Sequence, residues 1–278
     1  MQVLSNDRIK ELEKLAARAR HEVVKNVHIA QSGHVGGPLS CIDVLIYLYF
    51  EHLNIDPKKP DWDQRDRFIL SKGHSAIALY AVMSLRGYFP IEELATFDAI
   101  NSRMQAHPDM TVTPGLDMSS GSLGQGLSAG VGMALGAKYL GKDFHTFVMI
   151  GDGESQEGQI WEAAWAASRY RVGNLTAIVD NNKLQYCLWP EKAPGEPMSG
   201  FTAKFQAFGW HTQEIDGHDL SQIHAAVSQA RRVEDKPTVI IANTVKGKGI
   251  SFMEDRCAWH ARVPSEDELM QAMQELGV

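Results

Sequence analysis

The chain has 278 residues and a formal net charge of -7, enough length for one full core and no block of basic residues, which excludes an extended nucleic-acid interface. Its apolar stretches fall short of a membrane span, and the N-terminus opens on a charged amphipathic pattern, so a cytoplasmic protein with no membrane attachment is expected. The cysteines Cys41, Cys187 and Cys257 are far apart and lack Cys-x-x-Cys spacing, which gives neither a disulfide framework nor a zinc site.

Ile9, Leu12, Leu15, Ala16, Ala19 and Val23 recur at helical spacing after Ser5 and Asn6, so an amphipathic helix capped there is the first element. It should end at the glycine-rich run Ser32 to Gly37. Pro38 then suits the first turn of a second helix, whose apolar content from Leu39 to Leu53 points to burial on more than one side. Beyond it, short apolar runs appear at Arg67 to Leu70, Thr146 to Ile150, Leu175 to Val179, His211 to Ile215 and Thr238 to Ala242. Helix-length segments separate them, as in repeated βα units. The expected fold is one doubly wound α/β domain over residues 1–278, with a mostly parallel sheet and helices on both faces. Ser265 to Glu268 reads as a capping box opening a last short helix through Leu269, Met273 and Leu276.

Ligands of open parallel sheets bind beyond the carboxyl ends of the strands. The residues that follow these runs are Ser71 to His74, Gly151 to Glu154, Asp180 to Asn182, Asp216 to His218 and Asn243 to Gly247. Gly151-Asp152-Gly153, followed about thirty residues later by Asn181-Asn182, puts a carboxylate and a carboxamide at neighbouring strand ends. With a backbone carbonyl turned inward at Leu184, Asp152 and Asn182 make a hard-oxygen set suited to Mg2+, and the flanking glycines let a diphosphate approach the backbone. Either motif alone is more often a plain turn; both together at two strand ends favour the metal site. A second cluster, Ser119 to Gly126, leads into a small-residue helix over Leu127 to Leu135, suited to anion binding or close approach of a flat ring, or simply to tight packing.

His34, His74, His107 and His260 each lie beside glycine, proline or another helix-breaking context, where loop histidines can serve proton transfer. A single loop histidine is usually structural, but four on one predicted rim favour catalysis. His218 and the remaining histidines are assigned no catalytic part. Glu157 and Glu162 lie in the segment after Gly153, near the metal site or an adjoining interface.

Taken together, these stretches resemble the N-terminal, diphosphate-binding part of transketolase across nearly the whole chain. The matching stretches run in order: Ser32 to Gly37, Ser71 to His74, His107 to Gly115, Gly121 to Gly126, Gly151 to Gly158, Asp180 to Leu184, Ala207 to Trp210, Asp216 to Asp219, and Thr244 to Gly249 with Trp259-His260. The resemblance implies the thiamine diphosphate-binding fold, with Asp152, Asn182 and the Leu184 carbonyl holding Mg2+. It also implies His74, Gly153, Lys246 and His260 along the diphosphate, and Gly121, Ser122 and Leu123 against the cofactor through their backbone. Glu157 and Glu162 take cofactor-side places on the same ground. His34, His107 and His260 would face the sugar, His107 near the donor's terminal hydroxyl, in the transfer of a two-carbon ketol unit from a ketose to an aldose.

Full-length transketolases continue into a pyrimidine-binding domain and a C-terminal domain, and the resemblance reaches neither. The expectation is therefore the N-terminal subunit of a split transketolase, paired with a separately encoded C-terminal subunit in an assembly such as an α2β2 heterotetramer and acting on phosphorylated sugars of carbohydrate metabolism. Departures at Val35, at Ala261-Arg262 and over Tyr186 to Pro197 leave a sulfonated or branched sugar as an alternative. A noncatalytic cofactor-binding subunit is the alternative from another class. The α subunits of 2-oxo acid dehydrogenases share the two metal motifs but lack the Ser-Gly-His, Lys-Gly-His and His-Pro series.

Overall fold

The computed structural model describes residues 3–185 and 200–277; Cys187 and the divergent Tyr186 to Pro197 stretch lie outside them. Helix α1 (Asn6–Ala30) starts at Ser5, whose hydroxyl accepts the Arg8 N–H at 3.2 Å, and ends where Gln31 turns left-handed. Its buried stripe, Leu12, Ala16, Ala19, Val23 and Val27, repeats every three or four residues.

The single helix expected over Leu39 to Leu53 is instead broken. It becomes α2 (Gly36–Ser40), α3 (Ile42–Tyr47) and a wider π turn over Leu48–His52, with the break at Cys41, where φ is -98° and ψ is 0°. On either side of this bend, the Ser40 hydroxyl reaches Asp180 at 2.6 Å and Asp43 pairs with Arg20 at 2.5 Å. Satisfying two buried polar groups outweighs the helical hydrogen bonds lost at the bend.

Strand β1 (Arg67–Leu70) leads into α4 (Ala76–Arg86), whose residues from Ala76 to Ser84 are all buried, as suits a helix that is apolar all round. Then follow α5 (Gln125–Tyr139), β2 (Thr146–Gly151), α6 (Gly158–Arg169), β3 (Leu175–Asn181), α7 (Phe201–Ala207), β4 (His211–Asp216), α8 (Leu220–Ala230), β5 (Thr238–Asn243) and α9 (Glu266–Leu276). The capping box at Ser265 and Glu268 is formed.

Among the described residues the sheet has five strands, all parallel, in the order β1, β2, β3, β5, β4. Alternate residues of each inner strand feed two separate cores, because successive side chains of a strand point to opposite faces. Phe147, Met149, Ile178 and Ile240 join the core under α1, α3, α4 and α8, while Val148, Ile150, Val179 and Ile241 join the one under α5, α6 and α7. Full burial of a side chain such as Phe147 contributes about 1.5–3 kcal/mol. This two-sided packing holds the carboxyl ends of β1, β2, β3 and β5 along one rim. Among the described residues, no helix is long and apolar enough to cross a membrane.

Candidate active site

At the end of β1 the chain reads Ser71-Lys72-Gly73-His74, and Lys72 turns under the rim instead of toward solvent. Its ammonium donates to the Gly37 carbonyl at 2.9 Å and to Asp180 at 2.6 Å. Asp180, at the end of β3, also accepts from the hydroxyls of Ser40 and Thr244. Burial would drive the Lys72 ammonium toward neutrality, but Asp180 beside it outweighs that and holds its pKa above the usual lysine value.

Above this floor lie the metal-type oxygens. Asp152 accepts the Gly153 N–H at 2.7 Å and, across the gap to the next strand, the Lys183 N–H at 2.6 Å. Burial, reinforced by the Asp180 charge, pushes its carboxyl up to about 6. Asn182 holds its side-chain oxygen on the Leu184 N–H at 3.2 Å, and the Leu184 carbonyl accepts from Lys246 at 2.8 Å. The same ammonium lies 2.8 Å from Nδ1 of His260. Burial lowers the pKa of Lys246, and burial followed by the Lys246 charge brings His260 down to about 3. With Nδ1 facing an ammonium, the proton of the neutral His260 ring sits on Nε2.

Glu154 joins the two glycine-rich loops. Its carboxylate accepts from the Ser71 hydroxyl, from the Gly124 N–H at 2.9 Å and from the Gly151 N–H at 3.0 Å. Gly73 lies so close to the second loop that a Cβ there would sit 2.7 Å from the Gly121 nitrogen and from the Ser120 carbonyl carbon.

The histidines gather at the opposite wall. The His34 ring lies 5.0 Å from His74, 5.2 Å from His260 and 6.5 Å from His107, centroid to centroid. Burial and then the Lys72 charge push His74 down to about 2; burial and then His107 lower His34. Burial thus disfavours the charged form of both the His34 and the His74 ring.

One cavity of about 630 Å³ is lined by His34, His74, His107, Gly121, Leu123, Asp152, Gly153, Glu157, Asn182, Leu184, Lys246 and His260. All of these were expected at the site. Two expected residues do not line it. Ser122 is exposed between Gly121 and Leu123, and Glu162 borders a separate apolar groove with Trp161, Trp165, Ala166 and Phe208. The cavity also takes Lys72, Glu154, Gln156 and Gln185, which the motifs alone did not single out. Lys72, Glu154 and Gln156 lie inside the matching stretches and Gln185 follows Leu184 directly, so the signal available was membership of, or adjacency to, those stretches.

The donor set fits a hard cation. Asp152, Asn182 and the Leu184 carbonyl offer oxygen only, and among the described residues no group of three or more histidine, cysteine, aspartate or glutamate side chains is assembled into a softer site. Diphosphate oxygens would complete the shell, with the Lys246 ammonium beside them.

Comparison with known proteins agrees with this geometry. The transketolase thiamine diphosphate binding domain matches residues 12–278. The chain is 48% identical over 244 residues to the 6-deoxy-6-sulfo-D-fructose transketolase subunit SqwG of Clostridium sp. (strain MSTE9), covering 88% of each. It is 38% identical over 268 residues to an apulose-4-phosphate transketolase subunit of Phocaeicola vulgatus, covering 96% of this chain and 94% of that one. A transketolase structure from Pichia stipitis superposes with a TM-score of 0.88 at 33% identity, covering 96% of this chain and 40% of that one. The chain belongs to the transketolase family as its thiamine diphosphate-binding domain, a transferase subunit of the transketolase type that takes thiamine diphosphate with Mg2+.

Proposed function

We propose that this chain is the N-terminal half of a split, cytoplasmic transketolase that moves a two-carbon ketol unit from a phosphorylated ketose to an aldose. The observation that carries the reading is the division of one cavity into an oxygen-rich wall, made by Asp152, Asn182 and the Leu184 carbonyl, and a wall of histidine rings around His34. When bound, thiamine diphosphate supplies the electron sink that ketol transfer needs. Asp152, Asn182 and Leu184 hold Mg2+; His74, Gly153 and Lys246 bind the diphosphate; Gly121 and Leu123 border the ring. His34 and His260 manage protons at the carbonyl being cleaved or formed, and His107, exposed at the rim, binds the donor's terminal hydroxyl.

A separate chain carrying a pyrimidine-binding domain would complete the site, in an assembly such as α2β2. Two relatives of nearly the same length are themselves called subunits, whereas the Pichia stipitis enzyme is more than twice as long. The apolar groove on α6, where Trp165 is 59% exposed beside Trp161 and Phe208, starts four residues beyond Glu157 at the cavity's edge and suits such a partner.

A second reading of the donor rests on the 48% identity to the sulfofructose enzyme's subunit. Reconstitution with the C-terminal subunit, followed by a panel of xylulose 5-phosphate, fructose 6-phosphate and 6-deoxy-6-sulfofructose, decides between them. Ketol transfer by the pair and not by this chain alone is the expected result. Normal turnover by the isolated chain would overturn the split architecture, and a preference for the sulfonated ketose would replace the phosphorylated donor.

A further inference from the structure

His218 follows β4 in the run Asp216-Gly217-His218-Asp219, outside the cavity. Its Nδ1 lies 2.6 Å from the Asp43 carboxylate on α3, which also takes the Arg20 guanidinium of α1 at 2.5 Å. Its Nε2 lies 2.9 Å from the Val245 nitrogen. A backbone N–H can only donate, so Nε2 is the bare nitrogen and the ring proton sits on Nδ1, facing Asp43. The ring is thus fixed in one tautomer, with a charged partner behind it and a donor in front.

Val245 is the residue before Lys246. Its neighbours in the loop are tied by backbone bonds, Thr244 to the Asn181 carbonyl at 3.2 Å and Gly247 to the Gly36 carbonyl at 3.0 Å, while Val245 N–H is met by the His218 side chain. The approach is close: a Cβ on Gly217 would sit 2.5 Å from Cγ2 of Thr244. The loop delivers the Lys246 ammonium to the Leu184 carbonyl and His260.

We infer that His218 is a positioning residue for Lys246, the Asp43-backed ring holding the 244–247 loop so that the ammonium is aimed into the cavity. This rests on the reading of Lys246 as a diphosphate ligand. The geometry separates two substitutions of nearly equal disruption. In His218→Gln the side-chain oxygen reaches the place of Nε2 and still accepts from Val245; in His218→Asn the amide keeps the place of Nδ1 opposite Asp43 but offers nothing to Val245.

The test titrates thiamine diphosphate and, separately, inorganic pyrophosphate, both with saturating Mg2+, into the full chain and into its complex with the partner subunit. Melting of the ligand-free protein is followed in parallel. His218→Asn should bind both probes about tenfold more weakly, the scale of one lost hydrogen bond, with melting unchanged to within about 2 °C. His218→Gln should stay within about threefold of the unsubstituted protein, and Lys246→Met should lose at least as much as His218→Asn. Equal binding by the Asn and Gln variants, or an Asn variant that melts early or does not fold, would make His218 a structural residue only and overturn the inference. Failure of the unsubstituted protein to bind either probe, alone or in complex, would instead bring down the cofactor reading itself, and this inference with it.

Discussion

The Lys72 ammonium and the Asp180 carboxylate meet at 2.6 Å under the cavity, with side chains only 2% and 1% exposed. Both charges are almost wholly buried, so each depends on the other. Replacing Lys72 by Met leaves Asp180 charged and uncompensated, a loss of about 3–5 kcal/mol; the double variant with Asp180→Asn should recover part of it. Urea unfolding of the ligand-free chain measures both, and a single Lys72→Met variant as stable as the parent would show that the pair is not what holds this floor.

Glu154 accepts from three donors on three segments, Ser71, Gly124 and Gly151. Glu154→Gln turns one oxygen into an NH2 group facing donors, and the expected cost is about 3 kcal/mol in unfolding free energy. Weaker thiamine diphosphate binding should accompany it, because both loops border the cavity. Calorimetric titration beside urea unfolding checks the two effects together.

At Gly73, an added methyl group must displace the Ser120 to Gly121 backbone, since the carbon would stand 2.7 Å from it. Gly73→Ala should cost about 1–3 kcal/mol as an overpacked contact. Ketol transfer by the reconstituted pair should fall more steeply than stability does. Equal activity at saturating cofactor would mean that the loop takes up the change without harm to the site.

Acid should weaken the fold partly through His145, which is 4% exposed and lies 2.8 Å from the Thr176 hydroxyl. Burial, with Arg231 nearby adding to it and Asp66 opposing, pushes its pKa down to about 3. An unfolded histidine titrates near 6.5, so between those two values the unfolded chain binds a proton that the folded chain refuses. Stability from this group is therefore complete above about pH 6.5 and is lost as the pH falls toward 3. From pH 7 to pH 5, His145→Gln should lose about 2 kcal/mol less than the parent in urea unfolding. His52, brought down to about 4 in the same region, titrates in both proteins and cancels in that comparison.

His107 stands 6.5 Å from His34 at the exposed edge of the cavity. In the reconstituted enzyme, His107→Ala should lower kcat/KM by about tenfold to a hundredfold, as expected for a lost contact to the donor. Turnover equal to the parent's would favour the noncatalytic alternative for this chain.

Four of the strands were legible from the sequence because each is a short apolar run closed by glycine or a polar turn; β4, with Ile215 its one apolar residue, is a polar edge strand rather than the apolar run expected there, yet it too falls within two residues of its expected place. The oxygen set and His74 were legible because strand ends of a parallel sheet share a rim, whereas His34, His107 and His260 lie in loops that no strand precedes directly and were legible only as histidines in helix-breaking contexts. What depends on through-space geometry was not. The break at Cys41 comes from Ser40 and Asp43 finding partners far along the chain, which local periodicity does not report. Glu162 falls on the adjoining groove instead of in the cavity, because five residues along a helix rotate a side chain by about 140°. With Glu157 at the start of α6 facing the cavity, Glu162 faces elsewhere. His218 looked like any loop histidine until Asp43 and Val245 lay on either side of it.

The strand order also decides which segments meet at the rim. β5 lies between β3 and β4, so the strand that comes later in the chain separates the earlier one from β3. Asp152 and Asn182 sit just past β2 and β3, which pair directly, whereas Lys246 sits just past β5, on the other side of β3. Any ligand that touches both Asn182 and Lys246 therefore acts as a latch on the finished sheet, and its binding should slow hydrogen exchange in β3 and β5 together while leaving α1 unchanged.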